Sequence, residues 1–140
     1  MIRILVADDH AVVRQGVKQI LADVQDMTVK DEAQNGSETL KKVAENEYDV
    51  VLLDISMPGR SGLEVLEDIK TQHPKLAVLI LSMHPEEQYA VRALRAGASG
   101  YLTKASAPQE LIGAIRKVAG GGKYVTSSLA EKLADELEID

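Results

Sequence analysis

The stretch Tyr48 to Pro58, Y-D-V-V-L-L-D-I-S-M-P, limits what this chain can fold into more than any other. Val50 to Leu53 is an apolar run too short for a helix, and its branched residues favour a strand. The run shows no polar alternation, which implies burial on both faces, as in the middle of a parallel sheet. It stops at an acid, Asp54, and Pro58, Gly59 and Gly62 then enforce a loop before a new helix. Open α/β sheets bind their ligands outside the carboxyl ends of the strands. The other segments are therefore read relative to Asp54.

Ile2 to Ala7 reads as a first strand ending in Asp8-Asp9-His10, with Asp9 as the expected cap of a helix from Ala11 to about Val24. Val13, Val17, Ile20, Leu21 and Val24 give that helix an apolar stripe. Thr28 to Ala33 is a weaker second strand, and Ser37 is the expected cap of the helix carrying Leu40, Val43 and Ala44. A helix from Leu63 to Gln72 follows the central strand. Ala77 to Leu81 is a fourth strand, leading through Ser82-Met83-His84 to Pro85-Glu86-Glu87, a suitable first helical turn. Gly97 is placed to end that helix. Gly100 to Lys104 is a fifth strand, and a helix from Pro108 to Ala119 stops at three glycines.

Five strand–helix alternations without hairpin signals predict a mostly parallel sheet covered by helices on both faces and joined by right-handed crossovers. A chain of 140 residues, 45% apolar, suits one domain spanning residues 1–120. Residues 121–140 read as a linker or the start of a connector helix. Leu129, Leu133 and Leu137 stand four apart there, forming a stripe expected to be exposed.

Composition excludes several classes of function. The net charge of −6 makes this segment a poor nucleic-acid binder, because phosphate contacts rely on basic side chains. With no cysteine there is neither a disulfide framework nor thiolate chemistry. The amino terminus lacks a signal-peptide pattern and no apolar stretch approaches bilayer-spanning length, so a cytoplasmic setting is expected.

The predicted topology gathers Asp8, Asp9, Asp54, Ser82 and Lys104 at one end of the sheet. Crowded carboxylates disfavour their common ionised state unless a cation is present, and Mg2+ suits an all-oxygen set. A metal, an ammonium and a hydroxyl together suit an anion rich in oxygens, with phosphoryl the first expectation and Asp54 the nucleophile. Taken singly, each residue has an ordinary explanation as a turn, cap or surface charge; the signal lies in their convergence. His10, His73 and His84 lack metal-ligand spacing, although His84 stands close enough to Ser82 to influence the access of water.

These residues, with Met57-Pro58-Gly59, Gly97-Ala98 and Tyr101, resemble the receiver domain of bacterial two-component response regulators. Val12 to Gly16, Gly97 to Lys104 and the Gly121 to Thr126 segment are similar to the subfamily whose output is a LuxR-type helix-turn-helix domain. The resemblance implies a flavodoxin-like fold, a doubly wound five-stranded parallel sheet of order 2-1-3-4-5, in which Asp54 accepts a phosphoryl group from a sensor histidine kinase. It implies Mg2+ on Asp8, Asp9, Asp54 and the main-chain carbonyl of Ser56. It also implies that Lys104 contacts the phosphoryl group, that Ser82 and Tyr101 act as switch residues, and that Ser56 and His84 tune the lifetime of the phosphate. A phosphorylation-dependent homodimer is implied too, with Val91, Leu94, Arg95, Leu111 and Ile115 as surface candidates, and DNA is reached only through a further carboxyl-terminal domain. The alternative is a stand-alone receiver acting as a protein–protein interaction module. A phosphohydrolase of similar topology would need inserted cap sequence, and the loops here are short. In one departure, Ala105 follows Lys104 where many receivers have a cis proline. A non-proline cis bond costs ~2.5–4 kcal/mol, which leaves that isomer open at this point.

Overall fold

Apolar runs without alternation become the inner strands of a single parallel sheet. A computed structural model of the chain describes residues 1–84 and 86–139, with the side chains of 86–88, 127–128 and 136–139 outside that description. Two expectations thus lie outside the described residues: Pro85 in the fourth helix's first turn and the Leu137 side chain on the tail stripe. The strands are β1 (Ile2–Ala7), β2 (Met27–Ala33), β3 (Val50–Leu53), β4 (Ala77–Ser82) and β5 (Gly100–Thr103). They lie in the order β2-β1-β3-β4-β5, every neighbouring pair parallel, as expected. The helices are α1 (Ala11–Leu21), α2 (Gly36–Glu45), α3 (Gly62–Gln72), α4 (Glu86–Arg95), α5 (Pro108–Ala119) and α6 (Ser127–Ile139).

Alternate residues of each strand point to opposite faces, so β3 feeds two separate apolar layers. Val50 and Leu52 pack with Val17 and Leu21 of α1 and with Leu111, Ala114, Ile115 and Val118 of α5. Val51 and Leu53 pack on the other side with Val65, Leu66 and Ile69 of α3 and with Ala90 and Ala93 of α4. The helices pin β3 from both sides, and the residue that follows it inherits a fixed position.

Several boundaries differ from the sequence reading. Helix α1 stops at Leu21, and Val24 closes a turn by donating to the Leu21 carbonyl at 3.1 Å. Its cap position is held by His10, without a side-chain cap bond, rather than by Asp9. Asn35, not Ser37, caps α2, its side chain accepting from the Glu38 N–H at 2.8 Å. Strand β2 begins one residue earlier, at buried Met27 opposite Ile2, and its register with β1 shifts between Ile4 and Leu5. That bulge blurs the alternation and makes the strand look weak in sequence. The Lys104–Ala105 bond is trans.

Leu129 and Leu133 of the tail stripe, expected to be exposed, are turned inward. Tyr124 donates its N–H to the Ser99 carbonyl at 2.8 Å and bridges Gly100 in parallel fashion beside β5. Helix α6 then packs against α4, with Leu129 fully buried in the α3/α4 layer and Leu133 partly buried against it. The Thr126 hydroxyl accepts from the Leu129 N–H at 3.1 Å and so caps the start of α6. Leu129→Ala is expected to release α6, since a buried leucine truncated to alanine costs about 2–5 kcal/mol. Amide exchange should then accelerate along α6 and the face of α4 while β3 stays protected.

Candidate functional site

The sheet register builds the site. Ala7 lies opposite Leu53 and Leu53 opposite Ile80, so Asp8 and Asp54 leave adjacent strand ends together. The Asp54 N–H donates to the Ala7 carbonyl at 2.9 Å, continuing the ladder one residue beyond β3. Ser82 pairs with Thr103, and the Lys104 N–H donates to the Ser82 carbonyl at 2.7 Å, which delivers Lys104 to the same edge.

Here the Lys104 ammonium lies 2.7 Å from Asp8 Oδ2 and 3.4 Å from Asp54 Oδ2. All three side chains are buried, Lys104 the most exposed of them at 8%. The Ser56 N–H donates to the other Asp54 oxygen at 3.1 Å. Arg14, one turn into α1, donates to the Asp8 carbonyl at 2.6 Å while paired with Glu32, and so steadies the acidic turn. Donor atoms of Asp8, Asp9, His10 and Asp54 lie within 4.8 Å of one another, a group able to chelate a divalent cation.

Burial is the main force pushing the Asp54 carboxyl above its ordinary value of 3.8, and the charge of Asp8 adds to it. The Ser56 N–H and Lys104 act in the opposite sense. A folded pKa above the unfolded one means the folded state holds the proton more tightly. The stability from this group is therefore full below the unfolded pKa and lost as pH rises through the folded one. Without divalent ions, Asp54→Asn should be the more stable protein at neutral pH, with the gap closing as pH falls toward the ordinary carboxylate range. Urea titrations of both proteins at neutral pH and in that range check this; a gap that ignores pH would contradict it.

A second group of residues closes the mouth. The His84 ring nitrogen Nε2 is 2.9 Å from the Ser56 hydroxyl, and the ring meets Tyr89 edge-on with centroids 4.8 Å apart. The His84 backbone is held twice from below: its N–H donates to the Ser82 hydroxyl at 3.0 Å, and its carbonyl accepts from the Tyr101 hydroxyl at 2.9 Å. One loop residue thus links Ser82, Tyr101 and Ser56.

A profile described as "Response regulator receiver domain" matches residues 4–116. The chain belongs to that receiver family. It is 42% identical to the response regulator GacA of Pseudomonas viridiflava and 40% identical to the response regulator UvrY of Escherichia coli (strain K12). Each match covers 96% of this chain, and the chain spans 63% and 62%, respectively, of the length of those relatives. Among solved structures, a two-component response regulator of the LuxR family from Aurantimonas sp. SI85-9A1 superposes with a TM-score of 0.88 at 32% identity, covering 100% of this chain and 99% of that one. The isolated REC domain of RcsB from Salmonella enterica serovar Typhimurium, solved with phosphomimetic BeF3−, gives a TM-score of 0.82 at 25% identity, covering 93% and 96%.

Most of the expected site residues of this receiver converge: Asp8, Asp9, Asp54 and Lys104 in the pocket, Ser56 and His84 at its mouth, and Ser82 and Tyr101 buried beneath His84. Tyr101 is 1% exposed, its ring already turned inward. The expected dimer surface is corrected in part. Leu111 and Ile115 are buried in the α1/α5 layer, because they form the sheet-facing stripe of α5, and present no surface. Val91 and Leu94 are half-buried on α4, the helix against which α6 packs, and Arg95 is exposed. The sequence reading missed His10 as a pocket member and Arg14 as its brace. Their spacing from Asp8 was the available signal: His10 two residues on, and Arg14 one helical turn beyond it.

Proposed function

We propose that this receiver accepts a phosphoryl group on Asp54 from a sensor histidine kinase, with Mg2+ in the pocket, and so controls a DNA-binding output domain. The observation that carries the reading is the pairing of Asp54 and Asp8, buried side by side, with the single ammonium of Lys104. The donor set fits a hard cation: Asp8, Asp9 and Asp54, with the Ser56 main-chain carbonyl, would hold Mg2+. When bound, the ion offsets the negative charge brought by the donor and by the carboxylates.

The chain's own residues do the rest. The Ser56 N–H orients the Asp54 carboxylate by one oxygen. An Asp54 oxygen forms the new bond to phosphorus as the bond to the donor's leaving group breaks, and that electron pair leaves with the donor. Lys104, whose ammonium already reaches Asp54, pairs with the phosphoryl oxygens. The Ser82 hydroxyl turns from the His84 N–H toward the same oxygens. Because His84 is held by Ser82 and Tyr101 together, this turn shifts the loop before α4, and the change reaches the face where α6 is docked. Phosphorylation in this way biases a two-state packing. The Ser56–His84 bridge limits the access of water and lengthens the lifetime of the phosphate.

Residues 1–120 form the receiver, and 121–140 lead toward a LuxR-type helix-turn-helix domain in a cytoplasmic regulator that dimerises when phosphorylated. The likeness to a LuxR-family regulator and the greater length of the relatives support this reading. Among the described residues, no helix is long and apolar enough to cross a membrane.

Intact mass after incubation with acetyl phosphate, with Mg2+ or with chelator, tests the chemistry. One added phosphoryl group is expected with Mg2+, and none with chelator or in Asp54→Asn. Added mass that persists in Asp54→Asn would move the acceptor elsewhere.

A further inference from the structure

His10 makes the pocket more than an oxygen cage. Its Nδ1 is 3.1 Å from Asp8 Oδ1 and 3.1 Å from Asp9 Oδ1. Donors around an ion held at about 2.1 Å stand about 3 Å apart when adjacent and about 4.2 Å apart when opposite. The four-residue group, with its donor atoms within 4.8 Å of one another, has nearly that spacing already. The backbone of His10 is fixed, since its N–H donates to Asp8 Oδ1 at 2.8 Å and its carbonyl accepts the first helical bonds of α1. Its ring is 60% exposed, free to turn onto an ion without disturbing the core. Imidazole is a favourable ligand for zinc, cobalt and nickel and a poor one for magnesium, which prefers oxygen and retains its waters.

Resting on the receiver reading of the same pocket, we propose that His10 is a direct ligand for first-row transition ions and stays outside the coordination sphere of Mg2+. The pocket then takes two classes of cation in two ways: oxygen-only for magnesium, and mixed oxygen–nitrogen for ions such as Co2+ and Zn2+. His10 sets the ratio between them. An all-oxygen site also binds Co2+ and Zn2+ more tightly than Mg2+, so the order of affinities in the parent chain decides nothing. The change on deleting the imidazole does.

The test is calorimetric titration of the 140-residue chain and of His10→Ala with MgCl2, CoCl2 or ZnCl2 alone, with the ring nitrogens of His10 followed by 15N NMR as Zn2+ is added. Loss of the ligand should weaken Co2+ and Zn2+ at least about tenfold and leave Mg2+ within about twofold. The Nδ1 resonance of His10 should move far more on adding Zn2+ than on adding Mg2+, which reaches it only through its carboxylate neighbours. His10→Ala is expected to fold, because His10 makes no side-chain cap bond; circular dichroism checks this. Equal weakening of all three ions would reduce His10 to a structural support of the turn and overturn the proposal. So would unchanged affinities, or a Zn2+ shift confined to His73 or His84. If Mg2+ fails to bind while Co2+ binds in a His10-dependent manner, the proposal stands and the Mg2+-dependent reading of the pocket falls. If no ion binds at all, both fall.

Discussion

Gly62→Ala should cost about 3 kcal/mol or more, at the upper end of what overpacking does, and lower the melting temperature by roughly 10 °C. A β-carbon at Gly62 would lie 2.4 Å from the Asp54 carbonyl oxygen, 2.5 Å from the Ile55 Cα and 2.9 Å from the Ile55 carbonyl carbon. All three are backbone atoms, so no side chain can give way. Gly62 opens α3, and its N–H donates to the Ile55 carbonyl at 2.8 Å, so the loop that leaves the strand end returns to touch it. The residue therefore must be glycine for reasons of approach, not of dihedral freedom. The added methyl group should displace the Asp54–Ile55 peptide, and phosphoryl uptake should fall together with stability. Gly59→Ala is the comparison: Gly59 has φ +85° and open space around it. That substitution should cost only about 1 kcal/mol of backbone strain and leave uptake near the parent's. Thermal melts and phosphoryl incorporation on both variants check this; equal effects would refute the argument from approach.

The second large effect concerns Lys104. Replacing it with methionine keeps most of the stem volume and removes the only ammonium that faces Asp8 and Asp54 among the described residues. Breaking a buried ion pair from one side costs about 3–5 kcal/mol, because the remaining charge has no partner. Here two carboxylates are left facing each other. Lys104→Met should accordingly be strongly destabilised at neutral pH without divalent ions and should recover toward acid pH as Asp54 takes up a proton. Mg2+ should restore most of the loss, and it should bind the variant more tightly than the parent, since no ammonium competes for Asp8. Urea unfolding with Mg2+ and with chelator measures both effects. A variant whose stability ignores Mg2+ would show that Lys104 and the cation do not share a site.

Much of this was legible in the sequence because the inner strands are buried on both faces. Val50 to Leu53 and Ala77 to Leu81 could be little else, and once they are strands the parallel register places Asp8 beside Asp54. What escaped depended on contacts between distant segments. Leu111 and Ile115 have the spacing of any amphipathic stripe, and only the sheet order shows that the stripe faces β3 and β4. The tail leucines have a stripe as well, but no periodicity says that α4 offers it a seat. In strand β2 a bulge between the pairings of Val29 and Asp31 breaks the alternation that pattern reading relies on. His10 was passed over because the cation was expected to take an all-oxygen set and the three histidines were judged by their own spacing, whereas the neighbours of His10 at the site are carboxylates.

The bridge between Tyr124 and Gly100 has a consequence for assembly. An uncovered edge strand is a template on which other chains can extend a sheet. Along β5 the Tyr124 segment occupies part of that template. It sits so close that a β-carbon at Gly100 would lie 2.8 Å from the Tyr124 carbonyl oxygen. The opposite edge, β2, carries charged residues such as Lys30, Asp31 and Glu32 and the register break against β1, two devices that blunt strand recruitment. Both margins of the sheet are thus partly guarded against pairing with the strand of another chain.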